Sequence, residues 1–258
     1  MGIPSKDRRD YYYYQAKALG YRARSAFKLL DINEAYRILE SASKVIDLCA
    51  APGSWSQVLA SHTKAKIVAV DIQDMAPING VTILKEDITS GECLNKIFEV
   101  FDGEKADLIV CDGAPDVTGF HDLDEFLQLD LLKSALHICT KTLKTGSNFV
   151  GKCFRGAYSG YIVHHFLKFF DRVDLVKPRA SRHVSIECFL VCFGFKDANN
   201  NPFEIDVDCD PVNVRVVTCG DGPDPDFANE KEVETIHPIS PPINPPYEEL
   251  VDFRKRHG

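Results

Sequence analysis

The sequence predicts an α/β fold: a Rossmann-like, doubly wound, mostly parallel sheet of seven strands with helices on both faces. Three observations predict it. Between residues 45 and 195, short β-branched runs alternate with helical stretches. Buried parallel strands read as continuous apolar runs, and intervening helices imply right-handed crossovers. Within that region, Val45-Ile46-Asp47-Leu48-Cys49-Ala50-Ala51-Pro52-Gly53-Ser54-Trp55-Ser56-Gln57 reads as strand, tight turn and helix start. Finally, Asp47, Asp71, Asp87 and Asp112 stand at the ends of four successive strand candidates.

Taken in order, residues 1–43 form a basic helical segment. One helix runs through Tyr11-Tyr12-Tyr13-Tyr14 to Leu19, where Gly20 stops it, and a second runs from near Ser25 to about Tyr36. Tyrosine rings mixed with Lys6, Arg8, Arg9, Arg22 and Arg24 combine stacking faces with phosphate-seeking cations, so these five cations are the candidate RNA contacts. The competing reading packs two or three of the rings on the core and leaves the arginines solvated. The strand candidates are 45–49, 66–70, 81–84, 106–111, 148–152, 172–176 and 187–193, with helices at 53–63, 91–101, 122–144 and 160–170. Residues 1–195 therefore form one domain.

Residues 196–258 read as an extension docked on that domain or on a partner. It opens with an Asn-rich turn, offers one further short strand at 214–219, and passes through a proline cluster to a short helix at 247–256. The net charge of −8 divides unevenly along the chain. Residues 1–28 hold seven Lys and Arg against two Asp, whereas 196–258 hold six against 14 acids. The case for a polyanionic partner thus rests on a local patch and not on bulk charge.

The 258 residues are 45% hydrophobic and 26% charged, ordinary for a globular domain. No run approaches the ~18 to 20 apolar residues of a membrane span, and the first residues open into charge, so cytoplasm is the expected location, with the nucleus as the alternative. Nine cysteines without a C-x-x-C pair argue for a reducing compartment, against a disulfide framework and against a structural zinc site. His164 and His165 are adjacent on a predicted helix and diverge by ~100°, so no metal is expected there. His121 and His183 are loop histidines expected at the surface.

The turn after the first strand holds a single glycine, where a dinucleotide fold wants G-x-G-x-x-G. One glycine lets the backbone approach a ligand but makes a poor cradle for pyrophosphate. A methionine-derived cofactor without phosphate asks less. Asp71 closes the second strand, where such folds place an acid for ribose hydroxyls. Asp87 is placed to accept from an adenine amine, and Asp112 lies near a cationic methionyl end. Together these acids describe a site for S-adenosyl-L-methionine.

Asp47-Leu48-Cys49-Ala50-Ala51-Pro52-Gly53-Ser54-Trp55-Ser56-Gln57 and Ser25-Ala26-Phe27-Lys28-Leu29 resemble the FtsJ family of RNA ribose 2′-O-methyltransferases, as does the context of Asp112, Lys152 and Glu187. The resemblance covers about residues 1–195 and implies a class I methyltransferase fold. It also implies cofactor contacts at Gly53, Trp55, Asp71, Asp87 and Asp112, and a catalytic Lys-Asp-Lys-Glu tetrad at Lys28, Asp112, Lys152 and Glu187. Within the family, the Met1-Gly2 start, the four tyrosines, the His183-Val184-Ser185-Ile186-Glu187 run and the proline-rich tail resemble the eukaryotic tRNA anticodon-loop members. Those members work with helper proteins that select the methylated nucleotide, which makes tRNA and a helper subunit the expected partners.

The reaction so implied is in-line attack of a ribose 2′-hydroxyl on a sulfonium methyl. Lys152 is the candidate base or hydroxyl-orienting residue. Asp112 and Glu187 push its pKa up, while burial, Lys28 and a sulfonium push it down. Rival substrates are ribosomal RNA and an mRNA cap. Rival classes are a non-catalytic cofactor-binding subunit and a nicotinamide-dependent oxidoreductase, the last disfavoured by the missing glycines.

Overall fold

The computed structural model describes residues 11–115, 121–182, 185–196, 200–206, 208 and 210–219. Two compact units divide the chain, Met1–Asp226 and Phe227–Gly258, and the second lies outside the described residues together with the expected terminal helix.

The first unit runs α1 (Tyr11–Ala18), α2 (Ala26–Tyr36), β1 (Lys44–Leu48), α3 (Ser54–His62), β2 (Lys66–Asp71), β3 (Val81–Lys85), α4 (Gly91–Val100), β4 (Ala106–Cys111), α5 (His121–Thr142), β5 (Leu143–Phe154), α6 (Ser159–Leu167), β6 (Phe170–Pro178), β7 (Glu187–Phe195) and β8 (Val216–Cys219). One sheet takes the order β3-β2-β1-β4-β5-β7-β6-β8. β7 runs antiparallel to both neighbours, while the other pairs are parallel. The eighth strand is the extra one the sequence offered at 214–219: Val216–Cys219 pairs with Leu175–Pro178 of β6.

Period-two alternation sends successive strand residues to opposite faces. Ile46, Val68 and Ile109 pack under α4, α5 and α6, while Val45, Ile67 and Leu108 pack under α2 and α3. Phe149, Phe166 and Phe170 stack in the first layer, and Trp55 stacks on Phe189 in the second with ring centroids 5.6 Å apart. Both faces being covered, the central strands are buried along almost their whole length.

Helix ends follow local chemistry. Ser90 caps α4 by accepting from the Cys93 amide at 3.1 Å. α2 stops at Arg37, whose backbone is left-handed at φ 52°. α3 starts directly after Gly53 at φ 105°, a conformation that suits glycine.

Candidate active site

The ends of β4 and β5, the start of β7 and the first turn of α2 converge on one cluster of four charges. Lys152 Nζ lies 2.8 Å from Asp112 Oδ1, 2.8 Å from the Asp112 main-chain oxygen and 3.6 Å from Glu187 Oε2. Lys28 Nζ lies 2.7 Å from Glu187 Oε1, 2.8 Å from Glu187 Oε2 and 4.0 Å from Asp112 Oδ1. Topology explains the meeting: antiparallel pairing of β5 with β7 sets Phe154 opposite Glu187 and Lys152 opposite Phe189, beside Cys111↔Gly151 of the β4–β5 pair.

Both lysines are buried, at 9% exposure for Lys28 and 8% for Lys152. Buried ammonium groups persist only with compensating partners, and here cation and carboxylate alternate. Burial pulls the Lys152 pKa down, but the charges of Asp112 and Glu187 and the Asp112 hydrogen bond outweigh it and hold the ammonium above its ordinary value. For Glu187, burial pushes upward, yet Lys28, Lys152 and the Ser181 hydroxyl win and hold its pKa at about 2. Ser181 donates to Glu187 Oε1 at 2.8 Å. Lys152 and Glu187 therefore hold each other in their charged forms, with Lys28 and Asp112 as the flanking partners.

Beside it opens the crevice after β1. Asp47 is buried, and its Oδ2 accepts from Ser56 Oγ at 2.5 Å while Oδ1 carries no hydrogen bond. Burial pushes its pKa up to about 7 against the Ser56 hydrogen bond, with Asp112 and Asp71 adding to the rise. Ser25, Asp47, Cys49, Ala50, Ala51, Ser54, Trp55 and Asp112 line a cavity of about 20 Å³ at this point. A bare, buried carboxylate oxygen between acids suits the cationic end of a ligand. The first-turn amides of α3 at Ser54 and Trp55 have no helical acceptor and suit an anionic one.

The other expected cofactor residues are distributed along the same edge of the sheet. Asp71 Oδ2 accepts from the Ala51 amide and Oδ1 from the Gln73 amide, both at 2.8 Å, which fixes the carboxylate with lone pairs to spare. Asp87 Oδ1 accepts from the amide and hydroxyl of Thr89 at 2.8 Å, bonds that lower its pKa. The Trp55 ring is buried against Phe189, and its indole N–H donates to Ser25 O at 2.8 Å, so it joins the start of α2 to α3.

The expected RNA contacts separate. Lys6, Arg8 and Arg9 lie outside the described residues, as do Gly119, the side chain of His121, and His183. Arg22 turns its guanidinium onto main-chain carbonyls beside Gly53: Nη1 donates to Pro52 O at 2.9 Å and Ala76 O at 2.8 Å, and Nη2 to Pro77 O at 2.9 Å. Arg24 donates to Ala180 O. Of the four tyrosines only Tyr12 is buried, against Phe27, whereas Tyr11, Tyr13 and Tyr14 are 44%, 38% and 41% exposed. The alternative of two or three core rings thus reduces to one. Lys17 Nζ sits 4.7 Å above the Tyr13 ring.

Residues that the sequence did not single out complete the site. Gln128 Nε2 donates to Gly113 O at 3.1 Å and to Lys152 O at 2.8 Å, tying the ends of β4 and β5 to α5. Among the described residues no cluster of His, Cys, Asp and Glu has the makings of a metal site. His165 instead places Nε2 3.0 Å from Pro202 O.

The sheet order, the single-glycine turn and the alternating Lys–Asp–Lys–Glu cluster define the class, a Rossmann-like methyltransferase. Within that class the chain belongs to the FtsJ-like methyltransferase family, whose model matches residues 21–195. It is 44% identical to the tRNA (cytidine(32)/guanosine(34)-2′-O)-methyltransferase of Schizosaccharomyces pombe across 98% of both chains. It is also 44% identical to the 27S pre-rRNA (guanosine(2922)-2′-O)-methyltransferase of Saccharomyces cerevisiae, but across 74% of this chain and 23% of that one. Among solved structures, a Plasmodium falciparum protein provisionally named a ribosomal RNA methyltransferase superposes with a TM-score of 0.62 at 25% identity, covering 68% of this chain and 98% of that one.

Proposed function

We propose that this protein transfers the methyl group of S-adenosyl-L-methionine to a ribose 2′-hydroxyl in the anticodon loop of tRNA. The observation that carries the chemistry is the alternating Lys28–Glu187–Lys152–Asp112 network beside the crevice after β1. Support for the substrate comes from the alignment: the tRNA enzyme matches from end to end, whereas the pre-rRNA enzyme matches over a minor part of its length.

The residues at the crevice fit the cofactor. Asp71 and Asp87 would accept from its ribose hydroxyls and adenine amine, the Gly53 turn and the α3 amides would donate to its carboxylate, and Asp47 and Asp112 would face its cationic end. When bound, adenosylmethionine supplies the electrophilic methyl group. Lys152 works in its charged form, because the carboxylates that hold it also oppose loss of its proton. Its ammonium donates to one lone pair of the ribose oxygen and leaves the other for the new bond. As the carbon–oxygen bond forms and the methyl–sulfur bond breaks to leave S-adenosylhomocysteine, the hydroxyl proton departs late, to water. Full alignment of two reactants is worth ~7 to 11 kcal/mol of the barrier, and by fixing Lys152 the carboxylates of Asp112 and Glu187 contribute the share that passes through that residue. Lys28 keeps Glu187 ionised and in place.

Within residues 196–258, Pro202 and Val216–Cys219 dock on this domain itself, the acid-rich remainder is assigned to docking a helper subunit that selects the nucleotide, and the cytoplasm is the assigned compartment. Among the described residues no helix is long and apolar enough to cross a membrane. The deciding experiment maps ribose methylation on total RNA from cells with and without the protein. Loss confined to the tRNA anticodon loop is expected, and loss confined to ribosomal RNA or cap sites overturns the substrate.

A further inference from the structure

Arg22 belongs to the basic segment that charge pattern alone assigns to RNA, yet its guanidinium is committed elsewhere. Three of its five N–H groups reach main-chain carbonyls on two different loops: Pro52, in the turn after β1, and Ala76 and Pro77, in the loop between β2 and β3. The first of these loops lines the crevice, and the second packs against it at Gly53 through Met75 and Ile78. The turn after β1 carries Gly53, and the loop after β2 follows Asp71, which itself accepts from the Ala51 amide across the same gap.

The backbone that delivers Arg22 is fixed as well. The Arg22 amide donates to Gln57 Oε1 at 2.8 Å, and Gln57 Nε2 donates to Gly20 O at 2.9 Å. Gln57 lies in α3, one turn after Gly53. α3 thus holds Arg22 in position, and Arg22 holds the turn that starts α3. The packing leaves no slack, since a Cβ added at Gly53 would stand 2.8 Å from Arg22 Nη1, 2.8 Å from Ile78 Cδ1 and 2.9 Å from Met75 Sδ.

We infer that Arg22 is a positioning residue of the cofactor site: it buckles the β1 turn to the β2–β3 loop and sets the width of the crevice that receives adenosylmethionine. The inference rests on reading that crevice as the cofactor site. A guanidinium suits the task because its planar fork serves several acceptors at fixed angles, which one ammonium on a flexible stem does not reproduce. A phosphate-binding arginine, by contrast, needs charge above all, and lysine replaces it there with smaller loss.

The two roles separate by experiment on the full-length protein. Calorimetry with S-adenosylhomocysteine and with S-adenosylmethionine is expected to show affinity lowered about tenfold or more in Arg22→Ala, equal to about 1.4 kcal/mol. Arg22→Lys should remain impaired. tRNA affinity and the melting midpoint of the cofactor-free protein should stay close to wild type in both variants, while KM for adenosylmethionine rises more than kcat falls. Unchanged cofactor affinity, or a loss of tRNA affinity that lysine restores, overturns the inference. So does a fall in the cofactor-free melting midpoint large enough to weaken both ligands together. Should Arg22→Ala not fold, Arg22→Lys carries the same comparison. Wild-type protein that binds neither nucleoside overturns the reading of the crevice, which is a different outcome from wild-type binding with variants unaffected.

Discussion

Asp112 grips Lys152 twice, through Oδ1 at 2.8 Å and through its main-chain oxygen at 2.8 Å, so the residue that ends β4 fixes both the charge state and the direction of the lysine on β5. The carbonyl accepts one of the three N–H groups of the ammonium, while Asp112 Oδ1 and Glu187 Oε2 pair with its charge at 2.8 and 3.6 Å. The proposed chemistry turns one N–H to the ribose oxygen.

Removing it should remove turnover and little else. Lys152→Ala is expected to lower kcat by ~10² to 10⁴-fold, the usual worth of a positioned proton-handling group. Affinity for adenosylhomocysteine should stay within about threefold, because Asp71 and Asp87 are held by backbone amides independently of Lys152. Single-turnover methylation beside calorimetry checks both halves, and a variant that keeps turning over removes Lys152 from the mechanism.

Glu187 carries a pH signature. Its pKa is about 2 in the folded protein against 4.5 as an unperturbed side chain, despite burial, because Lys28 and Lys152 favour its charge. A depressed carboxyl pKa contributes stability that is complete above the unfolded value and is lost as pH falls through the folded one. The shift corresponds to about 3 kcal/mol. Urea unfolding should therefore show wild type well above Glu187→Gln near neutral pH, with the gap narrowing below pH 4.5 and smallest near 2. A gap independent of pH excludes the ion pairs as its source.

Asp47 has the opposite sign. The unfolded chain releases its proton near 3.8, while the buried folded group holds it to about 7. Stability from this residue therefore declines as pH rises between those values and stays low above them. Asp47→Asn removes the dependence, keeps an acceptor for Ser56, and turns an N–H₂ toward Asp112. The cofactor-free variant should gain on the order of 4 kcal/mol above pH 7 and little near pH 4. Denaturant titrations at the two pH values decide, and equal stability at both shows that Asp47 is ionised without cost.

Asp112 was legible as an acid closing a strand, whereas Lys152 and Glu187 were identified through the family resemblance. All three do lie at or beside strand ends, which doubly wound topology brings to one edge. Lys28 carried no comparable local signal, for a lysine on an amphipathic helix reads as solvated. Gln128, Ser181 and Arg22 were not legible in these roles at all. Gln128 and Arg22 meet main-chain carbonyls far away in the chain, which every sequence supplies and none advertises. β5 was read too short, at 148–152 instead of Leu143–Phe154, because Thr145-Gly146-Ser147 looks like a turn. Gly146 does have φ 82°, and the register beside β4 shifts between Ala106 and Leu108, but pairing continues on either side.

The tyrosine run puts helical periodicity to a quantitative test. Tyr12 and Ala16, four residues apart, are the buried positions of α1, and the Tyr12 ring lies 5.3 Å from Phe27, with the Arg24 guanidinium 5.7 Å from the Tyr12 ring centre. Tyr13 and Tyr14 pair edge-on with each other at 5.6 Å, and Tyr11, still 44% exposed, meets the Tyr12 ring edge-on at 5.5 Å. Tyr12→Ala should cost roughly 3 kcal/mol of stability, as deletion of a buried ring does, and should reduce tRNA binding only through unfolding. Tyr11→Ala and Tyr14→Ala should change stability by less than about 0.5 kcal/mol, the usual limit for surface positions. If their rings stack on bases, each should weaken tRNA binding by about 1 to 3 kcal/mol, with phenylalanine restoring it because stacking needs the ring and not the hydroxyl. Filter binding of the variants, paired with thermal melts, separates the two faces. Equal losses of stability at all three positions contradict the helix register, and unchanged tRNA affinity in the exposed pair assigns RNA recognition to another surface.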